Sequence, residues 1–135
     1  MLYLLHFDPP YRHAGHYLGY TEDVPKRFAL HVKGKGSPLV KAAVNNGSRI
    51  VLVRLWAEDG NAEQEIKRSV GSRARLCPLC NPNAKGVMRS YKSVLVYFNT
   101  VETVEQSLGS VTATLKHGDA QAVSLRVATV RPLKL

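Results

Sequence analysis

Two cysteines, one tryptophan and no apolar run near the roughly 18 residues that span a bilayer set the first limits on this 135-residue chain. So few cysteines exclude a secreted disulfide scaffold, and Cys77 and Cys80, in Cys-Pro-Leu-Cys, read instead as a metal half-site, a redox pair or a tight turn. Carboxylates are also scarce: 10 Asp and Glu stand against 19 Lys and Arg, giving a formal charge of +9 and a pI near 9.8. That balance favours polyanions as partners. A membrane surface is not expected among them, because no basic segment flanks a continuous apolar face. The opening Met1-Leu2-Tyr3-Leu4-Leu5 is cut short by His6, Asp8 and two prolines before a signal-peptide core can form, so a cytoplasmic location is expected. Internal repeats and low-complexity tracts are absent as well.

What remains is a chain expected to fold, with 44% apolar and only 21% charged residues. Residues 2–7 and 16–20 are short aromatic and aliphatic runs separated by a Pro, Arg and Gly-rich stretch, the pattern of a β-hairpin with a long connection. Thr21-Glu22-Asp23 supplies cap oxygens and Pro25 suits a first turn, so a helix follows. In it Val24, Phe28 and Val32 form an apolar stripe, while Arg27 and His31 project together from a neighbouring face. Lys33-Gly34-Lys35-Gly36 ends that helix in a basic loop, and Ser37-Pro38 begins a second, which stops at Asn46-Gly47. Ile50 to Trp56 reads as a buried central strand, and Asp59 or Asn61 caps a third helix carrying Ala62, Glu63, Ile66 and Lys67.

The fold expected is α+β, an α/β sandwich with a small central mixed or antiparallel sheet flanked by helices in the order ββααβα. A basic, Pro-rich stretch from Arg68 to Lys85 marks a boundary. Residues 1–85 then form one domain and residues 86–135 a small β-rich extension that contacts DNA. Strands are expected in it at 93–98, 108–116 and 120–130, the last two hinged at His117-Gly118-Asp119.

Phosphodiester hydrolysis needs an activated water, a cation to absorb transition-state charge and a metal held by carboxylate oxygen. The ordered series Tyr3, Tyr17-Leu18-Gly19, Arg27, His31 and Glu63 supplies candidates for each part. Its order and spacing resemble the GIY-YIG endonuclease family over roughly residues 1–80. Met1-Leu2-Tyr3 stands for the first triplet, with Met1 replacing its glycine, and Tyr17-Leu18-Gly19 stands for the second. The resemblance implies a one-metal DNA endonuclease, in which Glu63 holds Mg2+ (or Mn2+) and Tyr3 acts as general base or its relay, its pKa lowered by metal and cations. It also implies that Arg27 clamps the phosphate, Tyr17 orients water or a phosphate oxygen, and His31 shares the relay or bonds the phosphate. Such an enzyme would act on double-stranded DNA as a monomer or transient homodimer, free-standing or borne on a phage or mobile element.

Arg12, Lys33 and Lys35 are the expected DNA-contacting cations. Cys77 and Cys80 admit Zn2+ if completed by His117, another histidine or the same pair of a second subunit. Two readings compete with the enzyme: a catalytically inactive DNA-binding module on the same scaffold, and a small basic structural protein without an active site.

Overall fold

A computed structural model describes residues 1–88 and 90–117. Strands β1 (Leu2–Tyr11) and β2 (Ala14–Tyr20) form an antiparallel hairpin. Both run further than the expected 2–7 and 16–20, so the connection is a tight turn at Arg12-His13, with Arg12 in the left-handed region at φ 55°. Helix α1 (Val24–Val32) starts where the Asp23 side chain accepts a hydrogen bond from the Lys26 N–H, with Pro25 in the first turn. Helix α2 (Pro38–Asn45) is capped in the same way by Ser37, and α3 (Gly60–Val70) by Asp59. Strand β3 (Arg49–Trp56) lies between them, and β4 (Ser93–Phe98) and α4 (Val101–His117) follow.

Among the described residues the sheet has four antiparallel strands in the order β2-β1-β3-β4, with β2 and β4 at its edges. Alternation along the strands sends residues to opposite faces. Tyr3, Leu5 and Phe7 join Val94, Val96 and Phe98 under α1, α2 and α4, while Leu2, Leu4 and Leu18 join Val51 and Val53 under α3. The α+β sandwich expected from the sequence is therefore present.

One register step matters for the site. Leu4 pairs with Arg54 and Leu5 with Leu52, which leaves Val53 without a partner on β1 and shifts the alternation of β3 by one residue. Arg54 is consequently buried, at 1% exposure. Its guanidinium stacks on Trp56 and donates to the carbonyls of Leu76, Ala84 and Val87 and to Ser93 Oγ, over 2.9–3.2 Å. Burial lowers its pKa to about 10, which leaves it charged at neutral pH. These bonds pin the irregular segment between α3 and β4, with its 3-10 turns at Arg73–Leu76 and Ala84–Gly86, against the sheet.

The C-terminal expectation needs correction. Residues 108–116 belong to α4 and are not a strand. Val104, Val111 and Leu115 recur at helical spacing and bury themselves against α1 and β4. Each such side chain contributes about 1.5–3 kcal/mol, more than the roughly 0.5–1 kcal/mol by which Gly109 or a threonine weakens a helix. The expected strand at 120–130 lies outside the described residues. Within them β4 joins the first sheet and α4 packs on α1, so 93–117 continue the body built by the preceding elements.

Candidate functional site

Tyr3 stands opposite Gly19 in the β1–β2 ladder, and its phenol lies across the space that a side chain at 19 would fill. A β-carbon on Gly19 would come within 2.6 Å of the Tyr3 hydroxyl and 2.7 Å of the Tyr17 ring. Tyr17 shares the face of Tyr3, and α1 brings His31 inward between them. Ring centroids are 6.2 Å apart for Tyr3 and Tyr17, 5.7 Å for Tyr3 and His31, and 5.6 Å for Tyr17 and His31. Gly36 closes the far side, since a methyl there would overlap His31 Nδ1.

The polar atoms of this cluster form a chain. Arg27 Nε donates to the Tyr3 hydroxyl at 3.5 Å, and that hydroxyl lies 2.8 Å from His31 Nε2. Burial raises the Tyr3 pKa to about 12; hydrogen bonding from Arg27 opposes the rise, while Tyr17 and Glu63 add to it. Burial, with help from the Arg27 charge, lowers His31 to about 4. At neutral pH a protonated phenol therefore faces a neutral imidazole. The phenol then donates to Nε2, the imidazole proton sits on Nδ1, and Nδ1 is buried with no hydrogen-bond partner among the described residues. The lowering expected for the Tyr3 phenol is thus not achieved by Arg27, because desolvation outweighs it. His31 is fully buried and Tyr3 only 2% exposed, so Tyr17 and Arg27 are the half-buried members of the cluster that a ligand meets first.

Glu63 sits half-buried in the first turn of α3, close enough for its charge to act on Tyr3. Lys67, one turn on, places Nζ 2.6 Å from Glu63 Oε2. Tyr3, Tyr17, Arg27 and His31 therefore meet, while Glu63, on the helix under the opposite face of the sheet, is linked to them by its charge on Tyr3. Tyr17 also lines a groove along the edge strand β2, with Arg12, His13, Lys67 and Arg73 in its wall and no carboxylate. Lys33 and Lys35 are exposed on the α1–α2 connection and are not part of that wall.

On the opposite face of the sheet, Cys77 and Cys80 meet His6 and His16, and the four donor atoms lie within 4.8 Å of one another. This cluster can hold a metal ion. Thiolate and imidazole donors suit zinc-type ions and not magnesium. Of the completions open to the pair, it is the second, another histidine, that is met here, twice over, and neither is His117.

Arg54, Lys67 and Arg73 were not singled out from the sequence. Arg54 is a lone charge in an apolar strand, a pattern that signals a buried partner set, and Lys67 follows Glu63 by the four residues of one helical turn. Arg73 carried no local signal beyond its charge. Among the described residues no helix is long and apolar enough to cross a membrane. No family model, no curated protein and no solved structure matches this chain.

Proposed function

We propose that this chain is a divalent-metal-dependent endonuclease that hydrolyses phosphodiester bonds of DNA, the activity implied by its resemblance to the GIY-YIG family. The observation that carries the reading is the Arg27–Tyr3–His31 chain, which meets Tyr17 beside a basic groove free of carboxylates. A groove of that charge attracts a phosphate backbone, and its course along β2 reaches the Tyr17 phenol.

The donor set at Glu63 fits Mg2+ or Mn2+. Lys67 holds one carboxylate oxygen, leaving the other for a cation, and Mg2+ is commonly held by one or two carboxylates completed by water and substrate phosphate. Once bound, the cation would supply Lewis-acid polarisation of the phosphate and charge for the leaving oxygen. Arg27, half-buried, has Nε engaged on Tyr3 and a further side-chain hydrogen bond to Tyr17, and offers its remaining N–H groups to a phosphate oxygen. Tyr17, which reaches the groove, orients water or phosphate. Burial is the larger cause of the low His31 pKa, and a phosphate anion beside Arg27 would offset the lesser one, the Arg27 charge. Tyr3 then passes its proton to Nε2 as it takes one from the attacking water. The hydroxide attacks phosphorus, the bond to the leaving oxygen breaks, and that oxygen takes a proton from solvent.

Incubation of supercoiled plasmid with Mg2+ or Mn2+, beside the Glu63→Ala and Arg27→Ala variants, tests the reading. Metal-dependent nicking lost in both variants is the expected result. Intact plasmid that is nevertheless retarded on a gel in a salt-sensitive way would replace the enzyme with the DNA-binding module.

A further inference from the structure

His6 and His16 stand directly opposite each other in the β1–β2 ladder, so both rings rise from one face of the hairpin. Cys77 follows the 3-10 turn at Arg73–Leu76, and a tight turn brings Cys80 back, with the N–H of Cys80 and that of Asn81 donating to the Cys77 carbonyl at 3.1 and 2.8 Å. The two segments lie far apart in the chain, with Cys80 64 residues beyond His16. They nevertheless place four soft or borderline donors together, one sulfur buried and the other exposed.

The separations are informative. His6 Nδ1 lies 3.3 Å from His16 Nε2, 3.5 Å from Cys77 Sγ and 3.6 Å from Cys80 Sγ, and Cys80 Sγ lies 3.5 Å from His16 Nε2. A tetrahedron built on zinc, with Zn–N about 2.0–2.1 Å and Zn–S about 2.3 Å, has edges of about 3.3–3.4 Å between nitrogens and about 3.5–3.6 Å between nitrogen and sulfur. All four separations match their kind. Hydrogen bonding does not account for them, because an imidazole nitrogen offers one lone pair or one proton in the ring plane, and Nδ1 of His6 has three neighbours. A single point that all four atoms face does account for them.

The Cys77 sulfur also receives backbone N–H groups from Leu79 and Cys80. We propose that His6, His16, Cys77 and Cys80 bind one Zn2+ in a closed Cys2His2 site. With four protein ligands the ion has no open position for water, so it is structural and separate from the cation at Glu63. Its work is to staple the hairpin that carries Tyr3 and Tyr17 to the segment that carries Arg73. This inference stands whether or not the chain cuts DNA.

The test is the metal content of the full chain purified from zinc-supplemented cells without chelator. About one zinc per chain is expected, and near zero for Cys80→Ser and His16→Asn, while His117→Ala keeps the full amount. Cobalt titrated into chelator-stripped wild type should give the intense visible bands of a tetrahedral site and a sulfur-to-cobalt band near the ultraviolet. X-ray absorption on the zinc form should return two sulfur and two nitrogen neighbours. Zinc below about one tenth per chain together with only weak, octahedral cobalt bands would overturn the site, as would wild-type zinc content in both ligand variants. Should the variants fail to fold, cobalt binding by the wild type decides alone.

Discussion

Gly19 and Tyr3 occupy one space: the ladder sets them opposite each other, and a methyl group on residue 19 would stand 2.6 Å from the Tyr3 hydroxyl. The second glycine-bearing triplet thus has a steric reason that concerns the phenol and not the backbone, since residue 19 sits in an ordinary strand. Gly19→Ala should push the Tyr3 and Tyr17 rings out of register with His31. Nicking should fall at least about 10-fold, while binding to plasmid stays within about 2-fold, and stability should drop by about 1–3 kcal/mol from overpacking. Full nicking activity in the alanine variant would remove Tyr3 from the mechanism.

Arg54 tests a different part of the molecule. Its guanidinium satisfies three carbonyls and a serine hydroxyl in a buried place, where no other side chain among the described residues donates to them. Arg54→Met loses the guanidinium stacked on Trp56 and strands the carbonyls of Leu76 and Val87, each at a cost of about 1–3 kcal/mol, while the carbonyl of Ala84 still accepts from the Val87 N–H. Avoiding a buried charge offsets part of this. A net loss of about 3 kcal/mol is expected in urea unfolding. Arg54→Lys should not rescue it, because an ammonium lacks the planar fork that reaches Leu76, Ala84 and Val87 together.

These two residues also mark what the sequence made legible. The ββααβα order was readable because caps and turns are local: Asp23, Ser37 and Asp59 each bond an N–H within three residues. The meeting of Tyr3, Tyr17, Arg27 and His31 was readable only by resemblance, since the side chains come from three elements. The α4 helix carries a helical apolar period in its sequence, Val101, Val104, Leu108, Val111 and Leu115, but its Ser, Thr and Gly content, poor for helices, masks it. The partners of Cys77 and Cys80 were hidden by sequence distance, because cross-strand register alone makes His6 and His16 neighbours.

Salt dependence separates groove cations from bystanders. Arg12 and Arg73 line the groove, whereas Lys33 and Lys35 do not. Replacing Arg12 or Arg73 by alanine should weaken DNA binding and reduce the slope of log affinity against log salt by about 1 for each phosphate that the arginine neutralises. Lys33→Ala and Lys35→Ala should leave the slope unchanged within error. The reverse pattern in fluorescence anisotropy would move the DNA path to the α1–α2 connection.

Lys67 competes with a cation for Glu63. Its ion pair is partly exposed, with side chains 28% and 21% accessible, so Lys67→Met should cost only about 0.3–0.5 kcal/mol. With the ammonium gone, Glu63 presents both oxygens, and the Mg2+ concentration for half-maximal nicking should fall at least about 2-fold. A rise would mean that Lys67 orients the carboxylate for the metal instead of opposing it.

His31 carries the clearest pH dependence. In the folded protein its pKa is about 4, against an ordinary 6.5, because burial and Arg27 disfavour the imidazolium. Between those values the unfolded chain takes up a proton at residue 31 that the folded chain does not. The stabilising contribution of neutral His31 is therefore fully present above about pH 6.5 and is lost as pH falls towards about 4, to an upper limit on the order of 3 kcal/mol. His31→Gln keeps a polar group facing the Tyr3 hydroxyl but cannot titrate, so its unfolding free energy should vary less steeply across that window. Other groups titrate in both proteins, and the difference between the two curves isolates residue 31. Parallel curves from pH 7 to pH 4 would show that residue 31 titrates alike in the folded and unfolded chains, so that burial does not hold its imidazole neutral in that window.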